Sequence, residues 1–316
     1  MGPEAFARAL ALKISDEVAP LLGRPEARER TGTAHGGDPT FAIDERAERV
    51  AAAAFEERGD LAYFTEDAGL VVLGTPAHLF LLDPIDGTRP AMAGYESCCV
   101  SVAVAPYGTG LTVADLTYGC VVELPTGVVF EARRGEGARA EGRELRPAAT
   151  REPRAAIWAG GFRGQPSVPT VTVLEGLFDT PGAEGAFFDQ GSAAFSLTRL
   201  ATGQLDAYVD VGQAIVERVP GMEEAFRAVG GGHVLNTTTY DTAAGYLVLA
   251  ELGLPVTDAL GRPVGEIPLF APDGSATLVS SAAACTPELH SEVLRVVEEG
   301  LGRLAAAVAG SDLSRR

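Results

Sequence analysis

The amino-acid sequence predicts a layered α/β (α+β) protein, and two observations lead to this prediction. Two helical patterns open the chain, and the strand patterns that follow are joined by Gly- or Pro-bearing turns of the kind that link antiparallel strands. Beyond about residue 147, strand and helix patterns alternate, which is typical of layered α/β architectures. With 316 residues, of which 46% are hydrophobic, the chain is long enough for two domains with their own cores.

The first half begins with apolar residues at helical spacing from about Glu4 to Leu22, and a second helical pattern extends from Phe41 to Arg58. The polar stretch Thr31–Pro39 between them favours neither helix nor strand and is predicted to be a mobile loop. The strand patterns that follow are Leu61–Phe64, Leu70–Leu73, His78–Leu82, Ser97–Ala105, Leu111–Tyr118, Val121–Leu124 and Val128–Ala132.

A polar, Pro-containing stretch from Arg146 to Arg154 marks the predicted domain boundary, which divides the chain into residues 1–147 and 148–316. The strands predicted beyond it are Ala155–Ala159, Ala186–Phe188, Leu205–Val209 and Ala276–Ser281. The predicted helices are Thr170–Phe178, Ser192–Thr202, Met222–Val229, Asp241–Leu252 and Pro287–Val308.

The charge of the chain restricts its partners. The sequence has 25 Lys and Arg against 43 Asp and Glu residues, a net charge of −18, which repels nucleic acid and anionic membrane surfaces. An acidic protein can still bind a phosphate ester when divalent cations bridge the two. Because the sequence has no secretory pattern, no stretch of roughly 18 apolar residues and no C-x-x-C pair, we expect a cytoplasmic protein with reduced, buried cysteines.

The most informative segment is Asp83-Pro-Ile-Asp86-Gly-Thr88, which follows the apolar run Leu79–Leu82. We expect the strand to end at Asp83, because the proline after it has no amide to donate. The sharp Asp-Gly turn lets the two carboxylates converge on one point that the Ile85 carbonyl also faces, and hard cations prefer such oxygen ligands. Taken alone, the segment also fits an ordinary surface turn.

Further carboxylates stand where a site can be assembled. Glu66 follows the strand pattern Leu61–Phe64, and layered α/β folds build their sites at strand ends. Asp241 precedes an apolar helix, where it also fits a simple N-cap. Asp44 and Glu48 lie one helical turn apart and share a face, which is equally expected of a solvated surface pair.

These segments occur in an order that resembles the inositol monophosphatase family, lithium-sensitive, metal-dependent phosphatases related to fructose bisphosphatase. The matching motifs are Thr65-Glu66-Asp67, Asp83-Pro-Ile-Asp86-Gly-Thr88, Arg133-Arg-Gly-Glu-Gly-Ala138, Gly191-Ser-Ala-Ala194, Leu200-Ala-Thr-Gly-Gln-Leu-Asp-Ala-Tyr208 and Tyr240-Asp241-Thr-Ala-Ala-Gly245. The resemblance implies a five-layer αβαβα sandwich with mixed and antiparallel sheets between helix layers. It also implies that the first predicted domain binds metal and that the second supplies the substrate pocket.

The resemblance further implies that two or three Mg²⁺ ions are held by Asp44, Glu66, Asp83, Ile85, Asp86 and Asp241. Glu66 and Asp83, with the Ile85 carbonyl, would hold the first ion. Asp83 would bridge to a second ion, which Asp86 and Asp241 also hold. Asp44 would bind a weaker third ion together with Glu66. Such ions neutralise both the carboxylates and a phosphate dianion and activate water for an in-line displacement.

By the same resemblance the catalytic residues are Asp44, Glu66 and Thr88. Thr88, beside Glu66, is similar to the hydroxyl that orients the attacking water and helps to deprotonate it. The amides of Gly87 and Thr88 would receive the phosphate, as helix N-termini do, and Asp210 matches a carboxylate that binds a substrate hydroxyl. The substrate-binding residues implied are Asp86, Gly87, Thr88, Arg89, Arg163, Gly191, Ser192, Ala193 and Asp210.

Among the departures from the family pattern, two concern the substrate pocket. Arg89 follows Thr88 close to the expected phosphate, where it would either hold a second anionic group or remain a surface cation. The segment 212–239 is longer than the family needs, and its predicted helix Met222–Val229 would alter substrate choice or an oligomer contact.

The sequence therefore predicts an enzyme, a phosphoric monoester hydrolase that uses Mg²⁺ to hydrolyse the phosphate of a small polyol or sugar. One alternative is a bisphosphate phosphatase acting on fructose bisphosphate or adenosine bisphosphate, with Arg89 and Arg163 at the second phosphate. Another is a non-catalytic phosphosugar-binding regulator on the same scaffold. The resemblance also implies lithium sensitivity and a homodimer, and we expect neither a nucleic-acid nor a membrane partner.

Overall fold

The computed structural model describes residues 1–34, 36–180 and 184–313. The helices are α1 (Pro3–Val18), α2 (Ala42–Arg58), α3 (Thr88–Ala93), α4 (Ser167–Asp179), α5 (Ala193–Thr202), α6 (Gly212–Arg218), α7 (Met222–Val229), α8 (Thr239–Glu251) and α9 (Pro287–Leu313). The strands are β1 (Arg30–Thr33), β2 (Pro39–Phe41), β3 (Leu61–Thr65), β4 (Gly69–Leu73), β5 (His78–Asp86), β6 (Cys99–Pro106), β7 (Tyr118–Glu123), β8 (Val129–Arg133), β9 (Gly137–Ala140), β10 (Ile157–Gly160), β11 (Ala186–Phe188), β12 (Ala207–Asp210), β13 (Val256–Thr257) and β14 (Ser281–Ala284).

The larger sheet has seven strands in the order β4-β3-β5-β6-β7-β8-β9. Its neighbours are antiparallel except β3 and β5, which run parallel. Strands β5 and β6 are buried along almost their whole length, because helices cover both faces, and this accounts for their continuous apolar runs.

The predicted end of this strand at Asp83 is wrong, because β5 continues through Pro84 to Asp86. The pairing with β6 shifts register between Asp83 and Asp86. Pro84 therefore falls in an irregular stretch that does not require its missing amide, as at a bulge.

The smaller sheet has five strands in the order β11-β10-β12-β14-β13. Strand β10 is parallel to both β11 and β12, whereas β14 is antiparallel to β12 and β13. The sheet is therefore mixed, as expected from the alternation of helices and strands in the second half.

Helices and sheets stack in five layers, which confirms the predicted αβαβα sandwich. Helices α1 and α2 pack on the outer face of the larger sheet, α5 and α8 lie between the two sheets, and α4 and α9 cover the smaller sheet. Helix α8 packs closely in the middle layer, since a Cβ on Gly245 would lie 2.7 Å from Cδ1 of Leu197 in α5. The domain boundary at residue 147 stays a prediction.

Two predicted segments have a different structure. Thr31–Pro39 is not a free loop, since β1 and β2 pair antiparallel across it; His35, between them, lies outside the described residues. The predicted strand Leu111–Tyr118 is instead a 3-10 turn at Val113–Asp115 that leads into β7. The Asp115 carboxylate stabilises this turn by accepting a 2.8 Å hydrogen bond from the amide of Thr112, a capping contact that apolar periodicity does not reveal.

The last predicted strand is also displaced, because β14 begins at Ser281 and residues 276 and 278 form only isolated bridges. The elements that the sequence did not predict, apart from the β1–β2 pair, are α3, α6, β9 and β13, each seven residues or shorter. Elements of this length carry too little periodicity to be recognised. The four cysteines are free and buried, as expected. Within the described ranges, no helix has the length and apolarity that crossing a membrane requires.

Candidate active site

Three aspartates from two distant parts of the chain converge at one point. Asp83 and Asp86 lie at the carboxyl end of β5, and Asp241 lies in the first turn of α8. Each offers one carboxylate oxygen, and these oxygens all lie within 4.8 Å of one another. Because α8 packs across β5 and its neighbours, its N-terminal turn is brought to the end of the strand. The structure thus places the three aspartates together, as the sequence analysis expected.

Asp241 also has the N-cap role that the sequence analysis considered for it. Its Oδ2 accepts a 2.6 Å hydrogen bond from the amide of Thr238 and a 3.0 Å bond from the Thr238 hydroxyl, which closes a capping box at the start of α8. Both bonds use the same oxygen, so the other oxygen is available to the cluster. Asp241 therefore both caps the helix and contributes to the site.

The acidic cluster is electrostatically unfavourable without a cation. Burial raises the pKa of Asp86 to about 7 and holds the pKa of Asp83 well above its usual range, and the neighbouring carboxylates raise both further. Glu66, in the same pocket, has a pKa raised well above its ordinary value by burial and by the charges of Asp241 and Asp44. Carboxylate oxygens are the ligands that hard cations prefer, so this donor set fits Mg²⁺.

Helix α5 holds Asp86 in place. The Ser192 hydroxyl donates a 2.7 Å hydrogen bond to Oδ2 of Asp86, and the Ala194 amide donates a 2.6 Å bond to the same oxygen. Ser192 also caps α5, since its Oγ accepts a bond from the amide of Phe195. Gly191, Ser192 and Ala193 line the pocket, where the sequence analysis expected them. The contacts with Asp86 were not expected, because they depend on how α5 meets the end of β5.

The turn from β5 into α3 requires a glycine. Gly87 has a φ of +92°, and a Cβ at this position would lie 2.6 Å from the carbonyl oxygen of Ser97, so both backbone conformation and space exclude a side chain. Thr88 begins α3 directly afterwards. The backbone amides at the start of a helix have no partner inside it, and here they lie beside the carboxylate cluster.

The Thr88 hydroxyl pairs with Asp44. It donates a 2.9 Å hydrogen bond to Oδ1 of Asp44 and lies 3.3 Å from the Ile85 carbonyl oxygen. The amide of Phe41 donates to the other Asp44 oxygen at 3.0 Å, which fixes the carboxylate. The sequence analysis placed Thr88 beside Glu66; both line the pocket, but the hydrogen bond goes to Asp44.

Glu48 is a site residue to which the sequence analysis gave no role. Burial raises its pKa to about 7, and the pKa of Asp44, one turn earlier in α2, rises to about 6. A carboxylate oxygen of Glu48 accepts a 3.4 Å hydrogen bond from the amide of Asp67. With Glu66, these side chains line a narrow cleft that Asp83 also borders. The pair on α2 is therefore not a solvated surface pair, and its spacing was the signal in the sequence.

Asp210 is completely buried and already has three donors. It accepts hydrogen bonds from Nε2 of Gln165 at 2.9 Å, from the amide of Gly212 at 3.0 Å and from the hydroxyl of Thr237 at 2.6 Å. Burial raises its pKa, and these hydrogen bonds oppose the rise. Asp210 lines the pocket as expected, but the bonds that fix it come from residues with no motif in the sequence.

Both arginines of the predicted substrate site form ion pairs with Asp38. Arg89 lies in α3 and Arg163 follows β10, whereas Asp38 lies between β1 and β2. All three line the pocket, and among its described lining residues the two arginines are the only basic ones. Arg89 thus lines the pocket and pairs with Asp38, with a side chain that is 40% exposed; its role at a second anionic group stays a prediction.

A second cavity, of about 550 Å³, adjoins the pocket and shares lining residues with it. The longer segment 212–239 forms much of its wall through α6, α7 and the loop after α7. Helix α7 has the predicted bounds, and its Phe226 is fully buried. The segment contacts the β1–β2 turn, because a Cβ on Gly37 would collide with the His233 ring.

Comparison with known proteins supports the resemblance. A profile of the inositol monophosphatase family matches residues 4–301. The fructose-1,6-bisphosphatase/inositol-1-monophosphatase of Methanothermobacter thermautotrophicus is 28% identical over 305 residues, which cover 92% of this chain and 94% of the relative. The Nus factor SuhB of Vibrio cholerae is 26% identical over 258 residues, 79% of this chain and 83% of the relative. One of these two relatives is thus named as a phosphatase and the other as a Nus factor.

Solved structures support the architecture. The extragenic suppressor protein SuhB from Bartonella henselae matches with a TM-score of 0.69 at 20% identity, over 94% of this chain and 98% of that one. Likeness at this level of identity shows the fold. The family profile, which spans nearly the whole chain, shows more than the fold: the chain belongs to the inositol monophosphatase family.

Proposed function

We propose that the chain is a Mg²⁺-dependent phosphomonoesterase that hydrolyses the phosphate ester of a small polyol or sugar. The observation that carries the proposal is the convergence of carboxylate oxygens from Asp83, Asp86 and Asp241 within 4.8 Å, next to the turn that begins α3. Family membership and the relatives that are named as phosphatases support phosphatase activity.

The aspartate cluster would hold Mg²⁺, and Glu66 and Asp44 line the same pocket, where further ions would find carboxylate ligands. When bound, Mg²⁺ supplies the positive charge that a phosphate dianion needs in an acidic pocket and increases the acidity of water. The bonds from Ser192 and Ala194 keep Asp86 in one orientation, so that little rearrangement accompanies binding.

Thr88 and Asp44 would orient the attacking water. Because the Thr88 hydroxyl donates its hydrogen to Asp44, its oxygen is left as an acceptor for a proton of the water. The Asp44 carboxylate is held in place by the amide of Phe41, so it can take up the proton that passes through the hydroxyl. The pair therefore holds the nucleophile and provides a path for the proton it loses.

The start of α3 would receive the phosphate. Backbone amides at a helix N-terminus are suited to anions, and those of Gly87 and Thr88 lie directly after the metal-ligand candidates of β5. The pocket around the carboxylates has a volume of about 100 Å³ and a mostly polar lining. A small polyol or sugar fits such a pocket better than an extended apolar alcohol.

The test is a phosphate-release assay with inositol, hexose, glycerol and nucleotide phosphates, with and without Mg²⁺ and Li⁺. We expect release only with Mg²⁺, highest with a polyol or sugar phosphate and lower with Li⁺. The Asp86→Asn variant serves as the control for contaminating phosphatase. If the protein binds Mg²⁺ and a sugar phosphate by calorimetry yet releases no phosphate, the proposal fails and the regulatory alternative replaces it.

A further inference from the structure

An ion pair with almost no exposure to solvent holds the last turn of α5. Arg199 in that turn pairs with Glu123 at the end of β7, and the two residues are 4% and 1% exposed. The guanidinium donates one hydrogen bond to Glu123 and another, of 3.0 Å, to Oε1 of Gln204. The second oxygen of Glu123 accepts a bond from the hydroxyl of Thr126. Both charged groups are therefore held in one position.

Two aromatic rings also enclose the Arg199 guanidinium. Its central carbon lies 4.2 Å from the centroid of the Phe195 ring and 5.3 Å from that of the Phe130 ring. Cations are attracted to the faces of aromatic rings, most strongly where water is excluded. Because Phe195 belongs to α5 and Phe130 to β8, the side chain of Arg199 contacts both the helix and the larger sheet.

A buried ion pair adds direction to a contact more than it adds stability. The loss of hydration of two charges offsets most of their mutual attraction, so apolar residues of similar volume often stabilise a fold equally well. An arginine fork, however, requires its carboxylate at one distance and in one orientation. The pair of Arg199 and Glu123 therefore determines where α5 lies on the sheet, which apolar packing alone would leave less sharply defined.

Glu123 and Asp86 lie in one row across the larger sheet. Asp86 of β5 pairs with Cys99 of β6, and Cys99 pairs with Glu123 of β7. Residues paired in this way project from the same face of a sheet, and α5 contacts the three strands on this face. The Cys99 thiol lies there beside the N-terminus of α5, with its Sγ 3.7 Å from Oγ of Ser192. Two carboxylates of one row, two strands and about 10 Å apart, thus both face α5.

Helix α5 has the length that these two carboxylates require. Ser192, its N-cap, donates to Asp86, and Arg199, seven positions later, donates to Glu123. Seven residues of an α-helix measure about 10 Å, which matches the spacing of the two strands. The helix is therefore attached to the sheet at both ends. A helix held at one end could still tilt, whereas two attachments fix its direction.

The direction of α5 affects both halves of the aspartate cluster. The first turn of the helix orients Asp86 through the hydroxyl of Ser192. In the next turn, Leu197 packs against Gly245 of α8, the helix that carries Asp241. A tilt of α5 would therefore change the orientation of Asp86 and its distance from Asp241 together. Mg²⁺ demands near-ideal octahedral geometry, so its binding is sensitive to such a change.

We propose that Arg199 and Glu123 are positioning residues for the metal site. Their ion pair fixes α5, and the helix then holds Asp86 at the spacing from Asp83 and Asp241 that Mg²⁺ requires. Neither member of the pair is among the described residues that line the pocket, so both act through the helix alone. The inference rests on the proposed Mg²⁺-dependent function, but its main measurement, the affinity for Mg²⁺, needs no substrate.

The test removes the ion pair and leaves the net charge of the protein unchanged. In the double variant Arg199→Met/Glu123→Gln, methionine fills most of the volume of the arginine, and glutamine keeps an acceptor for the hydroxyl of Thr126. Urea unfolding establishes that the variant is folded under the conditions of the titration. Calorimetric titration should then show a Mg²⁺ affinity lowered about tenfold or more, as expected when the support of a metal ligand is lost.

The matched control removes an ion pair from the opposite face of the same sheet. Glu131 of β8 is buried beside α1, where it pairs with Arg139 of β9 and lies near Arg8. Arg139→Met/Glu131→Gln also keeps the net charge, and it keeps an acceptor for the hydroxyl of Tyr118. This variant should bind Mg²⁺ as tightly as the wild type, even if its free energy of unfolding is lower.

A second measurement separates positioning from general support of the fold. The Arg199→Met/Glu123→Gln variant is combined with Ser192→Ala, which removes a bond between α5 and Asp86. If the ion pair acts on Asp86 through the helix, the combined loss of Mg²⁺ affinity should be smaller than the product of the two separate losses. Sites that act independently would give losses that multiply.

Three results would overturn the proposal: a wild-type Mg²⁺ affinity in the folded Arg199→Met/Glu123→Gln variant, an equal loss in the control, or losses that multiply with Ser192→Ala. If the double variant does not fold, Arg199→Lys takes its place, since lysine keeps the charge but lacks the fork and its stacking. An unchanged affinity in that variant would equally refute the role.

The outcome for the proposed function is separate. If the wild type binds Mg²⁺ but hydrolyses no phosphate ester, the proposed function fails, whereas the comparison of Mg²⁺ affinities still decides the role of the ion pair. A wild-type protein that binds no Mg²⁺ would overturn both.

Discussion

The hydroxyl of Thr88 donates a 2.9 Å hydrogen bond to Oδ1 of Asp44, which joins the first turn of α3 to the first turn of α2. This bond fixes the direction of the hydroxyl lone pairs, and it leaves the oxygen free to accept a proton of water. The pair thus links the proposed orientation of the nucleophile to the packing of two helices on the same side of the larger sheet.

Thr88→Ala should lower kcat about 100-fold or more, in the range expected for loss of a group that assists proton transfer. KM should change about threefold or less, because the amides that receive the phosphate remain. Steady-state kinetics on the best substrate of the phosphate-release assay measures both. Thr88→Ser retains the hydroxyl and should recover most of the rate. A rise in KM with kcat intact would show that Thr88 binds substrate and does not act on water.

Asp86→Asn should lower turnover about 100-fold or more and reduce the number of Mg²⁺ ions bound, since it removes one of three converging carboxylates. Calorimetric titration with Mg²⁺ gives the stoichiometry. Ser192→Ala is a milder change at the same site, because it keeps the carboxylate of Asp86 and removes only a hydrogen bond that orients it. It should weaken Mg²⁺ binding about tenfold. Unchanged metal stoichiometry in Asp86→Asn contradicts the assignment.

Without metal, the free energy of unfolding should fall as the pH rises from about 4 to about 7. The pKa of Asp86 and of Glu48 is raised to about 7 in the folded protein, and that of Asp44 to about 6. A raised pKa means that the folded state binds more protons than the unfolded state between the two pKa values, so stability decreases with pH there. The stabilisation from these carboxyl groups is fully present at pH values below their pKa in the unfolded chain. It is lost as the pH rises through their pKa in the folded protein.

Urea unfolding of chelator-treated protein at several pH values measures this loss, and saturating Mg²⁺ should remove most of it. Glu48→Gln isolates the contribution of Glu48, because the amide cannot ionise. The unfolding free energy of this variant should therefore decrease less steeply with pH than that of the wild type. A metal-free protein whose unfolding free energy is the same at pH 4.5 and pH 7.5 would count against the buried acidic site.

Gly300→Ala should destabilise the outer layer of the smaller sheet. A Cβ on Gly300 of α9 would lie 2.6 Å from the Cα of Val173 in α4 and would also meet the Val173 carbonyl, so the helices must separate, at a cost of about 1–3 kcal/mol. Gly302, two residues later in α9, has open space around its Cα. Gly302→Ala should therefore stabilise by about 0.5–1 kcal/mol. Thermal or urea unfolding of both variants gives the two signs, and destabilisation by Gly302→Ala would contradict this packing.

The layered fold could be predicted because its long elements have strong periodicity. Helices α2, α7 and α9 begin at or within one residue of the predicted position. The αβαβα stacking itself came from the family resemblance, since periodicity does not reveal which faces meet. The β1–β2 pair escaped prediction because its strands are short, polar and exposed, so that no apolar pattern distinguishes them from a loop.

The residues of the candidate site that belong to contiguous sequence motifs could be predicted. Asp83 and Asp86 share one motif, and Asp241 belongs to another whose order along the chain identified it. The partner of Thr88 and the ion pairs of Asp38 were not predictable. Each depends on a loop or helix that folds back from elsewhere in the chain, and a single Asp in a Gly-rich loop has many ordinary explanations.

The position of α8 between the two sheets affects more than stability. A Cβ on Gly119 of β7 would lie 3.0 Å from the carbonyl oxygen of Ala244 in α8, the residue before Gly245, which itself contacts Leu197. Asp241 lies one turn earlier in that helix, so its carboxylate must follow any displacement of the helix axis. Substitution at either glycine would change the spacing of the carboxylates without replacing one of them. The packing of a helix between two sheets would thus tune the size of the cation that fits between the carboxylates, with every carboxylate retained.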